Sequence, residues 1–242
     1  MKKYEFTGET RLFLGKTLHR IKALINFGDV EVGDIGGWIE KEENLGHEGD
    51  AWVYGNAEVS GNAMVYGNAR VYGNARVSGN AWVYGNAGVS GNVRVYGDAW
   101  VYGNAEVSGN VRVYGDAWVY GNAMMYGDAW VYGNAEVYGD ASVYGDAWVY
   151  GNARVYGNVR VYGDAWVSGN DHIMWISKIG SRNDTITFMR SKELKIIVAV
   201  GCFKGSIDEF EEKVKQTHGE NEHAKAYFLA IQLSKLRINL SE

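Results

Sequence analysis

The sequence predicts an all-β solenoid: a three-sided parallel β-helix with a β cap before it and a small α+β domain after it. Three observations carry that reading. From Gly49 to Ser168 a six-residue beat runs without insertion for 120 residues, or 20 units, and self-similarity this strict is the signature of a repeat architecture. Within a unit such as "GNAEVS" (55–60), Ala57 and Val59 are two apart and share one face of an extended strand, while Glu58 and Ser60 take the other. Tryptophan returns at Trp82, Trp100 and Trp118, every 18 residues. Three short strands per coil give that slower period, so residues 18 apart stand above one another at about the 4.8 Å strand spacing.

Taken in order, residues 1–48 form the cap. They contain strand-like runs ("YEFT", "RLFL", "ALINF"), and Ile39 and Leu45 keep the six-residue phase of Ala51. A cap is needed because the end coil of a solenoid exposes strand edges and bare core. Residues 49–168 form the coil. Ala fills the first inward slot except at Val93, Val111 and Val159, and Val fills the second except at Met125. A narrow apolar interior is the result, each buried Val contributing roughly 1.5–3 kcal/mol. Gly supplies the bend between strands through positive φ, and the Asn or Asp after it tolerates the left-handed region. Residues 169–242 leave the beat. "HIMWIS", "TITFMR" and "KIIVAV" read as strands. A helix follows over "SIDEFEEKVKQTHG", with Ser206 and Glu209 as capping box and Gly219 as stop. A second helix spans about Glu222 to Leu236, with Ala226, Leu229, Leu233 and Leu236 on one face. This tail has the makings of a cap, an oligomerisation module or a binding module.

Composition narrows the function classes. With 33 glycines but 14% aromatics the chain is neither disordered nor collagen-like. A net charge of −5 argues against general nucleic-acid binding. Cys202 is the one cysteine, so disulfide frameworks and cysteine metal sites are excluded; beside Gly201 at a strand end, it reads as a buried structural thiol. No apolar run is long enough for a signal peptide or a membrane span. A soluble cytoplasmic protein is expected.

The opening "YEFTGET…GDIGGWIEKEENL" (4–10, 33–45), the "VYGNA/VYGDA" array and the tail "IGSRNDTITF…GCFKGSIDEFEEKV" (179–188, 201–214) resemble a family of phage and prophage hexapeptide-repeat proteins. The resemblance covers essentially the whole chain. It implies left-handed winding and a phage accessory protein made in the host cytoplasm, and it brings no catalytic residues with it.

Outward residues sort into three faces. One displays Met64, Trp82, Trp100, Trp118, Glu136 and Arg154, with Tyr84, Tyr102 and Tyr120 in its second column; another displays Glu58, Arg76, Arg94, Arg112, Trp130, Trp148 and Trp166; the third is mixed. Stacked rings stabilise by roughly 0.5–1.5 kcal/mol each, and duplication in 18-residue steps would generate the same columns without selection for binding. Yet a contiguous patch of six large rings exceeds what monomers usually expose. Arg76, Arg94 and Arg112 repel one another by about 1 kcal/mol per neighbour even in water; Asp98 and Asp116 at the corners are placed to neutralise part of this. These nine side chains, Arg76, Trp82, Tyr84, Arg94, Trp100, Tyr102, Arg112, Trp118 and Tyr120, are the candidate binding residues, since Arg beside Trp and Tyr makes interface hot spots and base-stacking sites.

Enzymes of this architecture resemble one another in placing a histidine base on or beside the coils, and here none occurs between His47 and His172. The coil therefore lacks a general base, an activated nucleophile or a zinc triad. His218 and His223 face each other across the helix junction, with Glu220 and Glu222 nearby, as a solvated helix end rather than a metal site. The sequence predicts a non-enzymatic protein without cofactor or metal, binding a host protein or a nucleotide-like ligand, with counteraction of host defence as its role. Two other readings stand beside it: a self-assembling structural dimer or trimer, and an acyltransferase using residues from the ends.

Overall fold

The computed structural model describes residues 1–241. Twenty short strands, from Trp52–Val53 to Trp166–Val167, wind into a left-handed parallel β-helix of about seven turns. They fall into three parallel sheets whose neighbours are 18 residues apart: Trp82 pairs with Trp100 and Trp100 with Trp118 on one, Arg76 with Arg94 and Arg94 with Arg112 on the second, Arg70 with Gly88 on the third. The three-sided rod expected from the two periods is the observed one.

Every inward Ala and Val of the array is buried, with Met125 in the slot expected for it. The bends differ from expectation. Only glycine takes positive φ at the corners; the asparagines and aspartates do not. Gly73 illustrates the demand, because at φ 73° a Cβ would lie 2.9 Å from the backbone nitrogen of Gly91 on the next coil. The asparagines instead form hydrogen-bonded ladders, Asn68 donating to Asn86 at 3.0 Å, Asn86 to Asn104 at 2.9 Å and Asn104 to Asn122 at 3.0 Å. Side-chain amides carry both a donor and an acceptor, so one residue type can propagate the ladder along the rod.

The cap is a hairpin, Tyr4–Phe13 with Lys16–Ala23, extended antiparallel by Ile35–Ile39, which then pairs in parallel with Glu58–Val59. "YEFT" and "RLFL" are parts of one strand, and most of "ALINF" falls in a turn rather than a strand. Ile39 and Leu45 enter the core opposite Val59 and Val65, an offset of 20 residues rather than 18; the chain around Gly46–Asp50 absorbs the extra two. Tyr4 and Phe27 close the end against Trp52 at 6.1 and 5.4 Å. Buried Lys3 donates to the carbonyls of Gly49 and Ala51, satisfying acceptors that a first coil would otherwise leave bare.

At the other end a four-stranded antiparallel sheet crosses the last coil, formed by Ile173–Ile179, Asp184–Arg190, Ile196–Val200 and Phe203–Ser206. The first three strands match the expected runs; the fourth was not foreseen. Ile173, Met189 and Ala199 join the coil core, while Phe188 and Val198 pack under the helices. Helix α1 (Ile207–His218) has the capping box of Ser206 and Glu209 and ends at Gly219, and α2 spans Glu222–Arg237. The stripe of Leu229, Leu233 and Leu236 points outward: α2 buries Ala224, Tyr227, Ala230, Ile231 and Ser234 instead. Cys202 is exposed, not buried; it occupies the turn between two strands.

Candidate functional site

The nine candidate residues lie on two faces, not in one cleft. Trp82, Trp100 and Trp118 stack at 5.1 and 5.3 Å with planes 4° and 11° apart. Beside them Tyr84, Tyr102 and Tyr120 stack at 4.8 and 4.9 Å. Such stacking follows from the strand spacing and uses the flat faces of the rings on one another. Ring edges, not faces, therefore meet solvent; Trp118, at the end of its column, is 40% exposed. Burial pushes the hydroxyls of Tyr84 and Tyr102 above their ordinary range, and burial with the charge of Glu136 takes Tyr120 up to about 12.

The arginines form the adjacent face. Arg76 is compensated: its Nε lies 3.3 Å from Glu58, and its guanidinium 4.5 Å from the centre of the Phe13 ring. Arg112 lies 4.3 Å over Trp130. Among the described residues neither Arg94 nor Arg112 has a carboxylate within 4 Å. The corner aspartates do not supply one, and Asp98 accepts from Asn80 at 2.8 Å instead. A pair of like charges without carboxylate partners persists on adjacent coils.

A cavity that the sequence reading missed joins two of these arginines to the cap. The hairpin tip bends back over the arginine face: Arg11 pairs with Glu58, Lys16 bonds Glu40 at 2.8 Å, and Phe13 covers Arg76. Between tip and coil lies about 490 Å³ of space, bounded by Phe13, Leu14, Lys16, Ser78, Arg94 and Tyr96. One feature of the sequence marks the place. The second column of this face carries tyrosine at Tyr96, Tyr114, Tyr132 and Tyr150 but serine at Ser60 and Ser78, and those serines make the room.

A second polar cluster sits where the coil ends. Ser168 Oγ lies 2.9 Å from Nδ1 of His172, which also accepts the Ser168 N–H at 3.2 Å. Buried Arg190 donates to the carbonyls of Trp166 and Ser241 at 3.3 and 2.8 Å. Burial, then the Arg190 charge, holds His172 below its ordinary pKa, so the ring is neutral at pH 7. Asp171 stands 3.8 Å from Nε2, beyond hydrogen-bond reach, so the three do not form a catalytic triad. His218 and His223 meet edge to face at 5.8 Å, and among the described residues no third ligand gathers there.

Five segments of the chain match a known repeat. Residues 57–71, 69–85, 87–103, 105–121 and 153–169 fit the family described as "YdcK Beta solenoid repeat". The chain is also 35% identical over 80 residues to a protein of Escherichia coli (strain K12) named "Uncharacterized acetyltransferase YdcK". That likeness covers 27% of this chain and 24% of the relative, so the chain spans about a quarter of the protein it matches. Both matches bear on the solenoid repeat; neither carries a phage origin. No helix of the described residues is long and apolar enough to cross a membrane.

Proposed function

We propose that this protein is a non-enzymatic binding protein that engages an anionic partner through the arginine face of its rigid coil. One observation carries the reading: Arg94 and Arg112 stand on adjacent coils with no carboxylate within 4 Å among the described residues. Two like charges held by register repel, and a bound anion removes the repulsion while gaining charge-assisted hydrogen bonds. The tryptophan and tyrosine edges next to this face add the ring-rich rim typical of interface hot spots. The partner is then an acidic protein surface or a nucleotide-like anion. The phage resemblance of the end motifs supports a partner from the host cell cytoplasm, and interference with host defence as the role.

The test is a comparison of partners retained from host lysate by the wild type, by Arg94→Glu/Arg112→Glu and by Trp100→Ala/Trp118→Ala. A stoichiometric partner lost from the charge-reversed variant is the expected result. Identical partner sets for all three would remove the coil faces from the explanation.

A transferase is the second reading, favoured by the name of the Escherichia coli relative and by a neutral histidine, His172, bonded to Ser168 beside the coil. A rise in melting temperature with acetyl-CoA that His172→Ala abolishes would support it, and a flat response would remove it.

A further inference from the structure

We propose that the cavity beneath the hairpin tip binds a planar aromatic anion of the nucleoside monophosphate class. This names the ligand of the arginine face and rests on reading that face as an anion surface. Tyr96 begins a stacked column, 4.9 Å from Tyr114 with the planes 1° apart. On its other side the next rung is Ser78, so among the described residues no ring covers that face, and Tyr96 is 36% exposed. The far end of the same column is closed by Trp166, 6.0 Å from Tyr150, and one neighbouring column is closed by Trp175, 4.7 Å from Tyr156. The ring column stops at Tyr96, at the point where the cavity opens, and Ser78 and Ser60 hold the next two rungs.

A flat ring placed there continues the stack, as bases stack on aromatic side chains. Phe13 and Leu14 roof the space with apolar surface, and Leu14 is 85% exposed at its mouth. The charge requirement comes from the other wall. Of the lining residues Lys16, Arg76 and Arg94 are cationic and Glu58 is anionic, which leaves an excess of positive charge. Lys16 and Arg76 already have carboxylate partners, whereas Arg94 has none among the described residues. Arg94 is therefore the group that a phosphate would neutralise, with Arg112 the next rung of the same column. About 490 Å³ lies within the roughly 300–1,000 Å³ range of small-molecule sites.

The experiment is calorimetric titration with AMP, adenosine, ribose 5-phosphate and hexaglutamate. It uses the full-length wild type, Ser78→Tyr and Arg94→Gln. Ser78→Tyr inserts the missing ring, which the same column accommodates at four other rungs, so the fold is expected to survive. AMP is expected to bind the wild type at least about tenfold more tightly than either variant, and at least about tenfold more tightly than adenosine or ribose 5-phosphate bind the wild type. Absence of AMP binding at millimolar concentration, equal binding by Ser78→Tyr, or equal binding of ribose 5-phosphate would overturn the proposal. Arg94-dependent binding of hexaglutamate without AMP would overturn the ligand class and leave the reading of an anion-binding surface standing. If neither binds, both readings fall.

Discussion

Single positions show how tightly the coil constrains its residues. Gly73 and Gly157 have nearly the same φ, 73° and 74°, but different surroundings: a Cβ at Gly73 would lie 2.9 Å from Gly91, and one at Gly157 would meet nothing within 4 Å. Alanine at Gly157 then costs only the left-handed conformation, about 1 kcal/mol. At Gly73 the next coil must also move, and the expected loss is on the order of 3 kcal/mol. Denaturant titration of the two variants reads the difference, and equal losses would show that coil spacing is not what fixes the glycines. Leu14 is the opposite case. It and Gly15 form the two-residue hairpin loop, with φ 48° and 78°, the geometry of a turn that prefers Asn-Gly. Leu14→Asn is expected to stabilise the protein by about 1 kcal/mol while weakening AMP binding. A variant that gains neither stability nor loses affinity would mean the exposed leucine has no cost and no use.

At the scale of the element, the ring columns divide their stabilisation unevenly. Trp100 is stacked on both sides, by Trp82 and Trp118, whereas Trp118 has a stacked tryptophan only on the Trp100 side. Trp100→Ala is therefore expected to cost about 1 kcal/mol more than Trp118→Ala, measured by thermal unfolding; the reverse order would mean ring burial outweighs stacking. The columns themselves were legible in the sequence, because two periods, six and 18, determine which residues stand above which. The direction of α2's leucine stripe was not. Helical spacing says that Leu229, Leu233 and Leu236 share a face but not which face meets the sheet. Ala224, Tyr227 and Ile231 lie on the side the sheet covers. The outward stripe predicts self-association through α2: sedimentation should detect a dimer that Leu229→Lys/Leu233→Lys/Leu236→Lys abolishes, and a wild-type monomer at high concentration would count against it. The hairpin cavity was half legible. Ser60 and Ser78 broke the tyrosine column in plain view, but no local pattern tells that residues 13–16 fold back over that gap.

For the whole molecule, the same columns that stiffen the rod make its stability depend on pH in the alkaline range. Burial holds Tyr66, Tyr84, Tyr102 and Tyr114 above the ordinary phenol value of 10.0 and takes Tyr120, Tyr132 and Tyr162 to about 12. Between pH 10 and those raised values the folded chain keeps protons that the unfolded chain has lost. Stability contributed by these groups is complete below pH 10 and lost as pH climbs through the folded values. Lys3 acts in the opposite sense. Burial lowers its ammonium from 10.5 to about 8, so between those values the unfolded chain holds the extra proton and stability rises with pH. The melting temperature is thus expected to increase from pH 8 to about 10 and then fall. Lys3→Met should flatten the rising limb and leave the falling limb in place. A wild-type curve that declines steadily from pH 8 would mean that burial of Lys3 does not govern the range below pH 10, and one that stays level above pH 10 would mean that the shifted phenols are not held by burial in the columns.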